Sequence, residues 1–155
     1  MRCEKVMKTI ALRFSDNFAP ADGTIAEHRK CIKENGFVWY GKLGASVSDK
    51  VCQEIMQNDS PMILLIHSGK SSRYWAYIDR IIKDTPSLSE IPEYYRDQAG
   101  IFHTWFRLIQ IVEADKGVMS ACTVASSGAP LSMTSRSSMS PYFIINYKEE
   151  GGDLV

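Results

Sequence analysis

A predicted β-hairpin in the middle of the chain constrains the fold more than any other feature. Residues 62–67, MILLIH, form a continuous apolar run of strand length, and the Ser60-Pro61 pair separates this run from the pattern before it. The polar turn SGKSS follows at 68–72, and residues 73–82, RYWAYIDRII, are rich in aromatic and β-branched side chains. The pattern predicts a sheet protein with this hairpin at the centre of the sheet, and it is not the pattern of a helical bundle.

Shorter patterns on either side predict the remaining elements. Thr24 is expected to cap a helix that ends at Asn35-Gly36, and Ser48 or Asp49 to begin a second helix. The alternating stretch that contains Trp105 is expected to lie in the same sheet as the hairpin. The sum is an α+β domain with a curled, mostly antiparallel sheet or small barrel flanked by short helices. Besides the hairpin, strands are predicted at 10–14, 37–43, 102–112 and 141–147.

Two long segments carry weaker patterns. Residues 84–100 contain two prolines and are predicted to form a loop with a helical turn at 90–95. Residues 118–141 are nearly devoid of charge and dense in serine, and they are predicted to form an ordered loop. We expect a single domain over 1–147, with 148–155 forming a tail or the start of a linker.

Composition limits the classes of function. The 155 residues suit one domain, and 18 basic residues balance 18 acidic residues, so bulk charge gives no support for strong nonspecific binding of nucleic acid. The four cysteines are widely spaced, with no C-x-x-C pair and no histidine cluster, so no metal site is predicted and reduced thiols are expected. With no secretory signal and no membrane-length apolar run, a cytoplasmic protein is expected.

Catalytic and cofactor motifs find little support. None of the three histidines lies in a nucleophile motif, and both glycine-rich phosphate patterns are absent. No catalytic residue and no cofactor are therefore predicted. The aromatic residues remain, and core packing is the simplest interpretation of each one. Together with Lys42, Lys70, Arg73 and Arg136 near glycine- and serine-rich turns, they favour a surface on which nucleobases stack.

The order of these pieces resembles the PUA-like superfamily in its YTH and EVE branches. SPMILLIHSGKSSRYWAYIDRI is similar to the central hairpin of that superfamily. IALRFSDN, a helix and GFVWYG resemble the YTH opening, in which a strand leads through a helix to a cage tryptophan. FHTWFRLIQI resembles the strand after the cage loop, and GAPLSMTSRSSMSP resembles the late loop with its Ser-Arg pair. The resemblance runs from about Ile10 to Tyr147.

The resemblance implies a set of site residues. Trp39 would form the first wall of an aromatic cage, with Gly41 and Gly44 leaving room for a ligand, and Tyr40 would follow it. In the loop after the hairpin, Tyr94 and Tyr95 stand where the family has a second cage tryptophan. The expected base-binding residues are Trp39, Tyr40, Asp16, Asn17, Tyr94, Tyr95 and Ser68. The expected phosphate contacts are Arg136, Lys42, Lys70 and Arg73, with Arg136 on the same face as Trp39.

The function that the resemblance implies is noncatalytic recognition of a modified, methylated base in DNA or RNA that is flipped into an aromatic pocket. Such a domain would be the specificity module of a modification-dependent restriction or defence system, with a nuclease or NTPase as a partner or fused domain. The alternative is a protein or small-molecule interaction module on the same fold. A third option is an enzyme acting on modified nucleosides through Lys42, Lys70 and Asp79.

Overall fold

The structure is a computed structural model that describes residues 5–16, 19–42, 44–68, 70–138, 140 and 142–149, with only the backbone described for Lys5 and Glu149. Within these ranges no helix combines the length and apolar character needed to cross a membrane. No group of three or more histidine, cysteine, aspartate or glutamate side chains in the same ranges could hold a metal ion.

In the described part of the chain, seven strands form one sheet in the order β2-β5-β4-β3-β1-β7-β6. The β1–β3 pair is parallel and every other neighbouring pair is antiparallel. The predicted hairpin is β3–β4 at the centre of the sheet, and the Trp105 strand is β5 beside it, so both predictions are confirmed. The strands are β1 (Lys5–Phe14), β2 (Val38–Lys42), β3 (Met62–His67), β4 (Arg73–Ile82), β5 (Thr104–Glu113), β6 (Cys122–Val124) and β7 (Tyr142–Glu149).

The sheet curls without closing into a barrel. Strands β2 and β1 have three strands between them in the sheet order, yet the Lys42 ammonium on β2 lies 4.1 Å from the centre of the Tyr142 ring on β7. Register shifts between Tyr77 and Arg80 in the β4–β5 ladder mark a bulge, a feature that increases strand twist. The curl brings the β2 edge towards β1 and leaves a gap between them.

The two longer helices follow the sequence predictions. Helix α1 (Thr24–Asn35) ends at Gly36, whose φ of 87° is the left-handed conformation that glycine adopts without a Cβ clash. Helix α2 (Asp49–Met56) begins after Ser48, whose hydroxyl accepts the Val51 N–H. Thr24 is not the cap of α1, because its own N–H is capped by the Asp16 carboxylate, with 2.9 Å from N to Oδ1.

The segment predicted as an ordered loop contains regular elements. Helix α3 (Val118–Ala121), strand β6 and helix α4 (Leu131–Ser137) lie there, and the buried side chains of Val118, Cys122 and Leu131 anchor one element each. Strand β1 begins at Lys5, before the predicted start, and pairs with β7, which continues past Tyr147 to Glu149. Long-range strand pairing therefore extends β1 and β7 over residues whose local patterns did not predict a strand. Segments Leu88–Glu90 and Glu93–Ile101 are 3₁₀ helices.

Three hydrophobic clusters form the core. The first cluster lies on the sheet face that packs against α1 and α2 and contains Tyr40 and Phe106. The second cluster lies on the opposite face against α3 and α4 and contains Trp75 and Leu131. The third cluster lies at the β2–β5 end of the sheet, where residues 91–102, here called the covering segment, pack on the strands. Its members are Trp39, Ile91, Tyr95, Ala99, Phe102 and Trp105.

Candidate nucleic-acid interface

A cavity of about 340 Å³ lies in the gap where the sheet fails to close. Strands β1 and β2 supply two of its walls, and the N-terminus of α1, the turn after β3 and the covering segment supply the others. A volume of this size is at the lower end of the range of about 300–1,000 Å³ that small-molecule sites occupy. The lining residues are Leu12, Arg13, Phe14, Ser15, Ala19, Thr24, Tyr40, Gly41, Lys42, Ser68, Tyr94, Tyr95, Gln98 and Phe102.

Four aromatic rings dominate one side of the cavity. The Tyr94 and Tyr95 ring centres lie 4.8 Å apart in an edge-to-face arrangement, and the Tyr95 and Phe102 centres lie 5.1 Å apart. Tyr40 is the fourth ring, and Phe14 on β1 lines the cavity as a fifth. The Phe102 ring lies directly on Gly41, where an added Cβ would be 2.6 Å from its Cγ atom. Gly41 is therefore the residue on β2 that allows the covering segment to approach the strand.

A buried histidine stands behind these rings. His28 is fully buried, and its Nδ1 donates to the Thr24 carbonyl at 2.8 Å, while its Nε2 has no partner among the described residues. The Tyr40 and Tyr95 rings lie 5.3 Å and 5.1 Å from its ring centre. Burial lowers the pKa of His28 to about 4, and burial also raises the pKa values of Tyr40 and Tyr95. This wall is consequently uncharged at neutral pH.

The charged groups at the cavity are cationic. Lys42 and Arg13 line it, and among the described lining residues none is acidic. Desolvation by burial lowers the pKa of Lys42, whose ammonium donates to the Ala45 carbonyl at 2.7 Å. The Tyr94 hydroxyl is buried and makes no hydrogen bond within the described part of the chain, although it lies near Thr24 and Tyr95.

Asp16 and His67 form a hydrogen bond beside the cavity. The His67 Nε2 lies 2.5 Å from Asp16 Oδ2, and the His67 Nδ1 lies 2.9 Å from the Ser68 carbonyl. The hydrogen bond from the Thr24 N–H lowers the pKa of Asp16 more than burial raises it, and the His67 contact lowers this pKa as well. Both carboxylate oxygens are therefore engaged, and the pair fastens the end of β1 to α1 and β3.

The structure brings together five of the residues that the sequence predicted. Tyr40, Tyr94, Tyr95, Ser68 and Lys42 all line the cavity. Asp16 lies beside it without being part of the lining, and Asn17 lies outside the described residues.

The other predicted cations lie away from the lining. Lys70 is exposed in the β3–β4 turn, Arg73 is half-buried at the start of β4, and Arg136 is exposed on α4. Helix α4, which carries Arg136, packs in the second cluster, whereas Trp39 packs in the third cluster at the β2–β5 end of the sheet. That Arg136 and Trp39 serve one binding face stays a prediction. Asp79 does not line the cavity either, and its carboxylate binds Arg107 at 2.7 Å.

The expectation that Trp39 faces an open cleft is wrong. Its side chain is only 3% exposed and packs in the third cluster, and its Nε1 donates to the Glu90 carboxylate at 3.0 Å. Trp39 and Tyr40 point to opposite sides of β2, because successive side chains in a strand alternate between its two faces. The face that opens to the cavity is the Tyr40 face, because the covering segment closes over the other one.

Several lining residues were missed by sequence reasoning. Phe102 was assigned to a strand, Thr24 was predicted only as a helix cap, and Arg13 and Gln98 carried no motif. The one usable signal was Gly41 within an aromatic strand, since a glycine there often marks the close approach of another group. The sequence indicated the approach but not that the partner would be Phe102.

A family model described as Pua-like matches residues 10–142, which is most of the chain. No curated protein and no solved structure matches the chain significantly.

Proposed function

The chain belongs to the Pua-like family, whose domains are in general binding modules suited to nucleic acid, and we propose that it recognises a modified base in DNA or RNA. In this proposal the base leaves its stack and enters the cavity between β1 and β2. Unstacking costs roughly a few kcal/mol, and contacts inside the cavity must offset that cost.

The observation that carries the proposal is the group of five aromatic rings, those of Phe14, Tyr40, Tyr94, Tyr95 and Phe102, around a cavity of about 340 Å³. Tyr40, Tyr94, Tyr95 and Phe102 offer both ring faces and ring edges, and stacking of a base on an aromatic ring contributes roughly 1–3 kcal/mol. Lys42, a cation, lines the cavity and suits a ligand that carries phosphate.

Polar groups in the same cavity suit recognition of a base edge. The Ser68 and Tyr94 hydroxyls and the Gln98 amide can each donate and accept hydrogen bonds. The Tyr94 hydroxyl is the best placed of these, because its contacts with Thr24 and Tyr95 do not meet the geometry of a hydrogen bond and a ligand would supply one.

Membership of the YTH or EVE branch and a role in a modification-dependent restriction or defence system are parts of the same proposal. A nuclease or NTPase, fused or separate, would then supply the chemistry that follows recognition. In this arrangement the cavity decides which strands are acted on, and the domain itself needs no catalytic group.

Binding to a panel of short oligonucleotides tests the proposal. The strands are single- and double-stranded DNA and RNA that contain N6-methyladenine, 5-methylcytosine, 5-hydroxymethylcytosine or no modification. We expect one modified strand to bind at least tenfold more tightly than its unmodified partner, and Tyr94→Ala to remove that preference. Equal binding of all strands by the folded wild-type protein would refute the proposed recognition of a modification.

A matched variant shows whether the loss of preference in Tyr94→Ala comes only from reduced stability. Tyr77 lies on β4, is half-buried like Tyr94 and does not line the cavity. Tyr77→Ala should therefore leave the preference for the modified strand unchanged. If both tyrosine variants lose the preference to the same extent, the loss at Tyr94 reflects stability rather than contact with the base.

A further inference from the structure

Two arginines lie on the same face of the sheet, one on each side of Ile66. Arg13 on β1 pairs with Ile66 on β3, and Ile66 pairs with Arg73 on β4, so the three residues form one row across neighbouring strands. Directly paired residues project to the same face of a sheet, so both arginine side chains leave the sheet on the side of the second cluster. The cavity lies on the opposite, Tyr40 face, and the β3–β4 turn connects the two, because Ser68 lines the cavity and the Lys70 carbonyl accepts from Arg73.

Each guanidinium uses only one of its terminal nitrogens in the described structure. Arg13 donates from Nη2 to the Ser135 and Ser138 carbonyls at 2.5 Å and 2.8 Å, at the end of α4. Arg73 donates from Nη1 to the Lys70 and Ser72 carbonyls at 2.8 Å and 2.9 Å. The Nε atoms of both arginines are buried without a hydrogen-bond partner among the described residues. A guanidinium has five N–H donors, so donors remain on both side chains.

No described carboxylate neutralises this pair. Neither arginine forms an ion pair within the described ranges, and the charge that acts on the Arg73 guanidinium is that of Arg13. Burial lowers the pKa of Arg73, and the repulsion from Arg13 lowers it further. The hydrogen-bond partners described for the two guanidiniums are carbonyl groups, which carry no net charge. An anion that binds between the two guanidiniums would therefore stabilise both.

Two further cations belong to the segments that these arginines contact. Lys70 provides a carbonyl to Arg73, and Arg136 lies between the two serines whose carbonyls accept from Arg13. Both side chains are exposed. The four residues are here called the basic cluster, and it forms in a chain whose total charge is balanced.

We propose that the basic cluster of Arg13, Lys70, Arg73 and Arg136 binds the phosphodiester groups of the strand whose base enters the cavity. The carbonyl contacts of Arg13 and Arg73 hold the two guanidiniums in place, and the free donors of each would bind phosphate oxygens. This inference rests on the proposed function for the identity of the strand, but the phosphate contacts themselves require no base modification.

The salt dependence of binding to a short, unmodified single-stranded DNA tests the inference. The first variant combines Lys70→Gln with Arg136→Gln, because both side chains are exposed and the fold should be preserved. The second is Arg73→Gln. A double variant of equal charge, Lys50→Gln with Arg80→Gln, alters exposed residues outside the cluster and is the control. Each lost phosphate contact should lower the slope of log K against log salt by about 0.7.

We expect the slope to fall by about 1.4 in the first variant and by about 0.7 in Arg73→Gln, and to stay unchanged in the control. Equal slopes in all four proteins would overturn the inference while leaving the oligonucleotide panel free to support modified-base recognition. Conversely, a reduced slope with no preference for any modified strand would support the phosphate site and reject the proposed function. A thermal shift with inorganic phosphate that disappears in Arg73→Gln, with no change in slope, would indicate a free-anion site and also overturn the inference.

Discussion

The two faces of strand β2 differ in what covers them, although both are aromatic. On one face Trp39 packs under the covering segment with Trp105, and no room remains beside it. On the other face Tyr40 borders both the first cluster and the cavity. The strand has one pattern of alternation, and the difference between the two faces arises from residues 91–102, which fold over only one of them.

This comparison shows why ring size alone is a poor guide to a binding surface. Tryptophan is the larger stacking platform, but the Trp39 side chain is committed to the core by its packing and by its hydrogen bond to Glu90. Tyr40 is equally buried in the free protein, yet its neighbours Tyr94 and Tyr95 share a cavity with it. Access to space, rather than the type of ring, distinguishes the candidate site from the core.

Truncation of Trp39 should lower the stability of the protein more than any other change proposed for the two faces of β2. Trp39→Ala removes a ring from the third cluster and leaves the Glu90 carboxylate without its partner, so we expect a loss of roughly 3–5 kcal/mol in the free energy of unfolding. Denaturant unfolding measures it. If Trp39→Ala keeps wild-type stability but loses oligonucleotide binding, the assignment of the two faces must be reversed.

Low pH should destabilise the protein through His28, which packs against Tyr40. The pKa of His28 is about 4 in the folded protein because burial disfavours its charged form, whereas an unfolded histidine titrates near 6.5. Between these values the unfolded chain binds more protons, so stability falls as the pH decreases from about 6.5 to about 4, by roughly 3 kcal/mol in total.

Unfolding free energies measured across that pH range test this prediction. His28→Gln should be less stable than the wild type at pH 7 but should show a flatter pH dependence between 6.5 and 4. Asp16 has a lowered pKa, so its contribution is present above about 3.8 and is lost only at lower pH, outside this window. Identical pH profiles for the wild type and His28→Gln would show that His28 is not buried in its neutral form.

A methyl group at Gly41 should disturb both faces at once. Its Cβ would lie 2.6 Å from the Phe102 ring, so Gly41→Ala must displace the ring from the strand. We expect a loss of roughly 1–3 kcal/mol in stability and weaker binding of the preferred oligonucleotide, because Phe102 belongs to the third cluster and also lines the cavity. Gly100→Ala, with open space around the added atom, is the matched control and should be much closer to wild type.

The sequence predicted the elements of the fold better than it predicted the site. The hairpin β3–β4 and helices α1 and α2 are encoded by local patterns, such as the apolar run MILLIH and the cap residues Ser48 and Gly36. Helices α3 and α4 and strand β6 were missed because their sequences are serine-rich and short. They are held by a few buried anchors such as Leu131.

The sequence predicted only part of the candidate site, because the site depends on contacts between distant segments. Tyr40, Tyr94 and Tyr95 were named because aromatic residues suit bases, and their convergence is a consequence of how the covering segment folds. Arg13 could not be found from sequence, since an isolated arginine in an apolar strand carries no motif. Its neighbour Arg73 is 60 positions further along the chain, and only the pairing through Ile66 brings the two together.

The smallest expected effect concerns a single hydroxyl group and sharpens the comparison most. Tyr94→Phe removes a buried hydroxyl that makes no hydrogen bond within the described residues, so the free protein should be as stable as wild type or slightly more stable. If that hydroxyl binds the base edge, affinity for the preferred oligonucleotide should fall by roughly 0.5–1.5 kcal/mol while stacking on the ring is retained.

Tyr95→Phe, at the adjoining ring, shows what the loss of a neighbouring hydroxyl does in the same cavity. Unchanged affinity in Tyr94→Phe together with a loss in Tyr95→Phe would move the polar contact from one tyrosine to the other. A clear loss of stability in Tyr94→Phe would instead show that its hydroxyl is part of the core, and would leave the Tyr40 face as closed as the Trp39 face.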